Sequence, residues 1–101
     1  MAYAFAVVAE PRRREILDLL RGGTRSVGEI VSHTGLSQPG VSKHLRVLRE
    51  HGLVHARQDA QRRLYELDPA PLAELDAWLA PYRALWADRL DDLGRHLDEQ
   101  S

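Results

Sequence analysis

The clearest pattern of apolar and polar positions lies between residues 37 and 54. Val41, Leu45 and Leu48 recur at i, i+4 and i+7, the spacing that places apolar side chains in one stripe of an α-helix. Ser37 suits the N-cap, and Gly52 suits the left-handed residue that ends a helix. The pattern therefore predicts one amphipathic helix with a clear start and stop.

The opposite face of this predicted helix carries hydrogen-bond donors and positive charges: Gln38, Ser42, Lys43, Arg46 and Arg49. An α-helix fits the major groove of DNA, where such side chains contact base edges and phosphates. A surface helix with a solvated basic face has the same pattern, so this segment alone leaves both interpretations open.

Two helices are predicted within residues 2–22. Residues 2–9 are apolar on nearly every side and must be buried, for which a partner subunit is a candidate. The second helix begins at Pro11 and ends at Gly22-Gly23. Arg12, Arg13 and Arg14 lie in its first turn, where they are either solvated surface charges or phosphate contacts beside a DNA-binding face.

A short helix is predicted to follow, beginning at a capping box formed by Ser26 and Glu29 and ending near His33. Gly35 can adopt the positive φ that the next turn requires. Two helices joined by a short turn, the second of them basic, indicate a helix-turn-helix over residues 26–51.

Residues 53–67 predict a β-hairpin. Period-two alternation places Val54, Ala56, Tyr65 and Leu67 on one inner face. The tip at residues 59–62 lacks glycine, which favours a loop longer than two residues. A hairpin directly after a basic helix is typical of a wing that contacts the DNA backbone, here through Arg57, Arg62 and Arg63; a solvated hairpin tip is the alternative.

Residues 70–99 predict a long C-terminal helix that is kinked or split near Pro81. Its apolar positions follow a nearly heptad spacing and exceed what one small domain can cover, which favours a homodimer over a helix that folds back on its own domain. Together with the N-terminal helix, the expected dimer interface comprises Tyr3, Phe5, Leu75, Trp78, Leu79, Tyr82, Trp86, Leu90 and Leu93.

The length of 101 residues indicates one domain, residues 1–101. The net charge of −1 hides an uneven distribution: six basic and two acidic residues give +4 over residues 37–63, whereas residues 64–101 sum to −6. The basic middle section is what would meet phosphates. No stretch is long and apolar enough to span a membrane, and the apolar start lacks the basic region of a signal peptide, so a cytoplasmic location is expected.

The order of these elements resembles the ArsR/SmtB family of bacterial winged-helix repressors. The similarity is carried by residues 10–17, 36–45, 48–54 and 63–67. It implies a mainly α fold with a small β-hairpin, a winged helix-turn-helix that dimerises through its N- and C-terminal helices and binds double-stranded DNA at a palindromic operator. Residues matching the family's base-reading positions are Ser37, Gln38, Ser42, Lys43 and His44; Arg57, Arg62 and Arg63 match its wing.

The metal sites of that family are not matched. The resemblance places one site, a Cys-Val-Cys pair, on residues 26–28, which read Ser-Val-Gly, and the ligands of the other on Pro69, Pro71, Tyr82 and Leu85. The chain therefore resembles members that do not sense metals, and neither a metal nor a cofactor is expected. Asp92, His96 and Glu99 have a spacing that could hold a metal, but a solvated acidic helix end shows the same spacing by chance and is the favoured interpretation.

No catalytic site is expected. The chain has no cysteine and no Gly-rich phosphate loop, and Ser42 and His44 point to different faces of their helix. We therefore expect a DNA-binding transcriptional regulator, a homodimeric repressor of its own or a neighbouring operon, whose effector the sequence does not identify. The alternatives are a winged-helix protein-interaction module and a metal-responsive repressor with an atypical site.

Overall fold

The computed structural model describes the backbone of residues 2–100 and the side chains of residues 4–94. Within this part of the chain, five helices and three strands follow in the order α1 (Ala2–Val8), α2 (Pro11–Arg21), β1 (Arg25–Ser26), α3 (Val27–Thr34), α4 (Gln38–Glu50), β2 (Val54–Asp59), β3 (Arg62–Leu67) and α5 (Ala70–Gln100). The mainly helical class with a small hairpin is confirmed.

Helix α4 begins and ends where the sequence predicts. The Ser37 hydroxyl accepts a hydrogen bond from the Gly40 amide at 3.1 Å, the usual role of an N-cap. At the other end Gly52 has a φ of +75°. The Leu53 amide donates to the Leu48 carbonyl at 2.9 Å and the Gly52 amide to the Arg49 carbonyl at 3.1 Å, which is the Schellman arrangement.

The capping box at the start of α3 is also confirmed. The Glu29 amide donates to the Ser26 hydroxyl, and the Ser26 amide donates to the Glu29 carboxylate, at 3.2 and 3.1 Å. Gly35 ends the helix with a φ of +72°. Helices α3 and α4 are therefore joined by the predicted short turn.

The core lies where the apolar faces of α2, α3, α4 and the hairpin meet. Ile16, Ile30 and Val41 are completely buried. The rest of the buried cluster comes from α1, α2, α4 and the hairpin with the residue before it: Val7, Leu17, Leu20, Leu45, Leu48, Leu53, Val54 and Tyr65. Burying the apolar stripe of α4 directs its polar face to solvent.

The sheet has three antiparallel strands in the order β1-β3-β2. Val54 lies opposite Leu67 and Ala56 opposite Tyr65, as the alternation predicts. Strand β1 was not predicted, because its two residues carry no period-two signal and Ser26 is also the N-cap of α3.

The prediction of a longer loop at the hairpin tip is wrong. Asp59 pairs with Arg62, so the strands are joined by the two residues Ala60 and Gln61. Ala60 adopts a φ of +56°, which costs a residue with a Cβ about 1–2 kcal/mol. The strand pairing continues to the tip and offsets that cost, and the Gln58 side-chain amide donates to the Ala60 carbonyl at 3.1 Å.

Helix α5 runs without interruption through Pro81 over 31 residues, so the predicted split does not occur, whereas a kink at this position stays a prediction. A proline inside a helix removes one backbone hydrogen bond, but the good helix formers on both sides keep the segment helical. The first half of α5 packs on α1: the rings of Phe5 and Trp78 meet edge to face with centroids 4.9 Å apart. The outer half projects beyond the core, and the molecule measures 63 × 28 × 20 Å.

We expect Ala60→Gly to stabilise the chain by about 1 kcal/mol, because glycine adopts a positive φ without the Cβ clash. Urea denaturation measures the change. Ala84→Gly, in the exposed part of α5, is the control and should destabilise by about 1 kcal/mol. Equal losses of stability at both sites would contradict the strain assigned to Ala60.

Candidate nucleic-acid interface

Four of the five residues predicted to read bases are exposed, three of them on α4 and one at its N-cap. Ser37, Gln38, Ser42 and Lys43 are exposed, whereas His44 is half-buried. The difference follows from helix geometry, since His44 lies on the opposite flank from Ser42 at 100° per residue. Of the five, Ser42 and Lys43 also line the concavity described next, whereas the Ser37 hydroxyl caps the helix and His44 is less exposed than the other four.

A concavity of about 570 Å³ lies between α4 and β3. Four of its eight lining residues are cationic and none is anionic: Pro39, Ser42, Lys43, Leu45, Arg46, Arg49, Arg63 and Tyr65. Such a surface attracts polyanions, and its guanidinium groups can form paired hydrogen bonds with phosphate oxygens.

The three arginines predicted for the wing lie on two faces of the hairpin. Arg63 shares a face with Tyr65, and its guanidinium carbon lies 5.7 Å from the centroid of the Tyr65 ring. Arg57 pairs with Leu64, and Arg62 with Asp59, so these two arginines belong to the opposite face. Only Arg63 of the three lines the concavity. The period-two alternation that placed Tyr65 on the inner face also places Arg63, two residues earlier, on that face, so this separation of the arginines was predictable from the sequence.

Arg62 lies near the start of α3 instead. One guanidinium nitrogen is 4.0 Å from Oε1 of Glu29. Hydrogen bonds from the amide and hydroxyl of Ser26 are the main reason that the pKa of Glu29 is lowered, with smaller contributions from Arg25 and Arg62. Glu29 therefore serves both the capping box and the wing, a contact that the sequence analysis missed.

The base of the hairpin is joined to α5 through Asp68. Its Oδ1 accepts a hydrogen bond from the Ala70 amide at 3.0 Å, and its Oδ2 lies 2.6 Å from Nε2 of His55. These two contacts, the Ala70 amide first, lower the pKa of Asp68. The contacts hold the end of the wing against the beginning of α5.

Of the three arginines in the first turn of α2, Arg12 is the exposed surface charge that one alternative expected, and a phosphate contact by Arg12 stays a prediction. The other two are engaged within the chain. Arg13 and Arg14 donate hydrogen bonds to backbone carbonyls at the end of α1. Arg12 pairs with Glu15 at 3.4 Å on an exposed surface.

The expected dimer residues divide into two groups. Leu75 is already buried within the chain, with 8% of its surface exposed, and Leu79 is half-buried. Trp86 and Leu90 keep 55% and 67% of their surface exposed. Trp78, Tyr82 and Leu93 are exposed as well, Phe5 is half-buried, and Tyr3 lies outside the residues whose side chains are described.

Among the described residues, no group of three or more His, Asp or Glu side chains is placed to hold a metal ion. Of the candidate metal set, His96 and Glu99 lie outside the described side chains. No described helix has the length and apolarity required to cross a membrane.

A capped helix-turn-helix with a cationic outer helix, followed by a basic hairpin, defines a winged-helix DNA-binding protein. Residues 10–56 match the model of the arsR family of bacterial regulatory proteins. The chain is 33% identical to the transcriptional repressor SdpR of Bacillus subtilis, over 78% of this chain and 88% of that protein. The chain belongs to the arsR family and is a transcriptional regulator.

Solved structures agree with this assignment. A crystal structure of a possible transcriptional regulator for arsenical resistance matches with a TM-score of 0.70 and 42% identity, over 89% of this chain and 91% of that chain. The homodimeric winged helix-turn-helix DNA-binding domain of Mb0332 from Mycobacterium bovis matches with a TM-score of 0.67 and 34% identity, over 82% of this chain and 77% of that chain.

We expect acid to weaken the capping box through Glu29. The pKa of Glu29 in the folded chain is below its ordinary value of 4.5. Its contribution to the free energy of unfolding is therefore complete above 4.5 and is lost as the pH falls through the lower, folded-state pKa.

Glu29→Gln should remove this pH dependence, because glutamine can close the capping box without titrating. Glu29→Ala should also remove it, but at the cost of stability at neutral pH. Urea denaturation from neutral pH to below 4.5 compares the three proteins. Identical acid dependence in the wild type and Glu29→Gln would contradict the assignment.

Proposed function

We propose that the chain acts as a homodimer on a palindromic operator and represses its own or a neighbouring operon. The single observation that carries this proposal is the cationic concavity between α4 and β3, which has no acidic lining residue. Two such surfaces related by a dyad would enter successive major grooves about 34 Å apart. Acting on chromosomal DNA in this way would place the protein in the cytoplasm.

The proposed roles follow from position on the surface. Ser37, Gln38, Ser42 and Lys43 lie near the N-terminal end of α4, the end of a recognition helix that contacts base edges. Glutamine suits adenine and lysine suits guanine. His44 is half-buried, so its side chain would have to rotate outward to contact a base.

The phosphate contacts proposed for the concavity are Arg46, Arg49 and Arg63. Arg57 and Arg62 would contact the backbone from the outer face of the wing, and Arg62 would have to exchange Glu29 for a phosphate. The guanidinium of Arg63 lies over the ring of Tyr65, and this cation–π contact stabilises it beside the concavity.

Dimerisation is supported by the uncovered apolar face of α5. Trp78, Tyr82, Leu85, Trp86, Leu90 and Leu93 each expose 43% or more of their surface. Contiguous apolar surface of this kind marks an interaction site, and a solved relative is homodimeric. The proposed occupant is the same face of a second copy.

Binding to DNA should depend on salt and on two kinds of residue. With the three arginines of the concavity on phosphates in each protomer, log K against log salt should have a slope near −5, at about −0.9 per phosphate. Contacts from Arg57 and Arg62 as well would steepen it to about −9. Gln38→Ala should lower the preference for operator over random DNA more than total affinity. Arg63→Ala should weaken binding to all DNA and reduce the slope by about 2 per dimer.

Fluorescence anisotropy with DNA from upstream of the gene, over a range of salt concentrations, measures these changes. Arg83→Ala, which removes a charge on α5 beside Asp76, is the control and should leave the slope unchanged. A folded, dimeric protein that binds no fragment at low salt would favour the protein-interaction alternative. Zinc-dependent affinity that a chelator reverses would favour the metal-responsive one.

Dimerisation is tested by Trp86→Asp, which places a charge on the uncovered face of α5. We expect the dimer dissociation constant to rise by about a hundredfold or more, since removing a large buried aromatic side chain costs about 3–5 kcal/mol. Ala84→Asp, on the opposite side of the same helix, should change it little. Sedimentation measures both, and equal effects would place the interface elsewhere.

A further inference from the structure

The end of α1 is closed by side chains of the next helix. A helix leaves its last four carbonyls without partners in the helix itself. In α1 the Phe5 carbonyl accepts from the Ala9 amide at 2.9 Å. The following carbonyls accept from two guanidinium groups: Ala6 and Val7 from Arg13 at 3.3 and 2.7 Å, and Val8 and Ala9 from Arg14 at 2.9 and 3.1 Å.

The positive charge of these two guanidinium groups is favourable at the C-terminal end of α1. The carbonyl end of a helix carries partial negative charge, which cations stabilise. Helix α1 has no basic residue in its own last turn, so the positive charge is supplied by α2. In the first turn of α2 the same cations are disfavoured by the dipole, and the contact with α1 offsets that penalty.

Helix α1 depends on such contacts for its position. It has seven residues, too few for a stable isolated helix in water. It places Val7 in the core, 2% exposed, and Phe5 edge to face against Trp78 of α5. Trp78 in turn stacks on Tyr82 with ring centroids 4.7 Å apart. The position of α1 therefore shapes the aromatic part of the proposed dimer face.

We infer that Arg13 and Arg14 are positioning residues for dimerisation, acting through α1 and contacting neither DNA nor the partner's operator-binding surface. The inference rests on the proposed homodimer. Without the two guanidinium groups, α1 is no longer fixed to α2, the Phe5–Trp78 contact loosens and the dimer face loses its shape. Operator affinity then falls as a consequence of weaker association.

The test compares Arg13→Ala/Arg14→Ala with Arg12→Ala, which removes one positive charge from the same turn without removing a contact with α1. Sedimentation should show a dimer dissociation constant raised by about tenfold in the double variant, and a wild-type value for Arg12→Ala. Arg13→Lys/Arg14→Lys should recover part of the loss, because each lysine can still donate to a carbonyl.

A second readout separates positioning from general loss of stability. In a Trp86→Phe background, at a dilution where every variant is monomeric, the emission of Trp78 reports the contact with Phe5 within the protomer. Phe5→Ala and Arg13→Ala/Arg14→Ala should each shift that emission, and combining them should add little, because both act through one contact. Additive shifts would overturn the inference.

Failure of the proposed homodimer and failure of the role of Arg13 and Arg14 give different results. A wild-type chain that is monomeric overturns the proposed function. A dimeric wild type whose association is unchanged in the double alanine variant overturns the inference alone. If the double alanine variant does not fold, the lysine variant decides, alone and combined with Phe5→Ala: loss of association with an unchanged Trp78 emission in the lysine variant would overturn the role of α1 as the intermediary.

Discussion

Burial of one face of α4 is the constraint on which the interface depends. Val41 and Leu48 are fully buried and Leu45 is 1% exposed, and truncating a buried leucine to alanine costs about 2–5 kcal/mol. These three contacts fix the rotation of the helix about its axis. Because each residue advances the helix by 100°, the donors on the other side can only face outward, beside Arg63.

Local signals in the sequence were sufficient for much of the fold. The cap at Ser37, the capping box at Ser26 and Glu29, and the pairing of Ala56 with Tyr65 depend on residues close in sequence or on simple alternation. The errors arise where distant contacts decide. The pairing of Asp59 with Arg62 makes Ala60 adopt a positive φ, and strand β1 exists only because β3 lies beside it.

The site was predictable in composition but not in arrangement. Counting charges identified the basic section, yet an arginine side chain is long and its partner depends on tertiary position. Arg63 lines the concavity, Arg62 lies near Glu29, and Arg13 and Arg14 hold α1. Arginines that look alike in the sequence therefore line the concavity, pair with a carboxylate or fix a helix end. Only the packing of α1, α3 and the hairpin determines which of these each arginine does.

The projecting half of α5 links folding to association. Its apolar side chains, such as Trp86 and Leu90, are more than half exposed, so little within the protomer holds these turns together, and a solitary helix of that length is marginal in water. Helix content should therefore rise with protein concentration. In a cell, newly made protomers that have not met a partner would present these uncovered apolar turns to proteases, so the regulator would be degraded faster when scarce than when abundant.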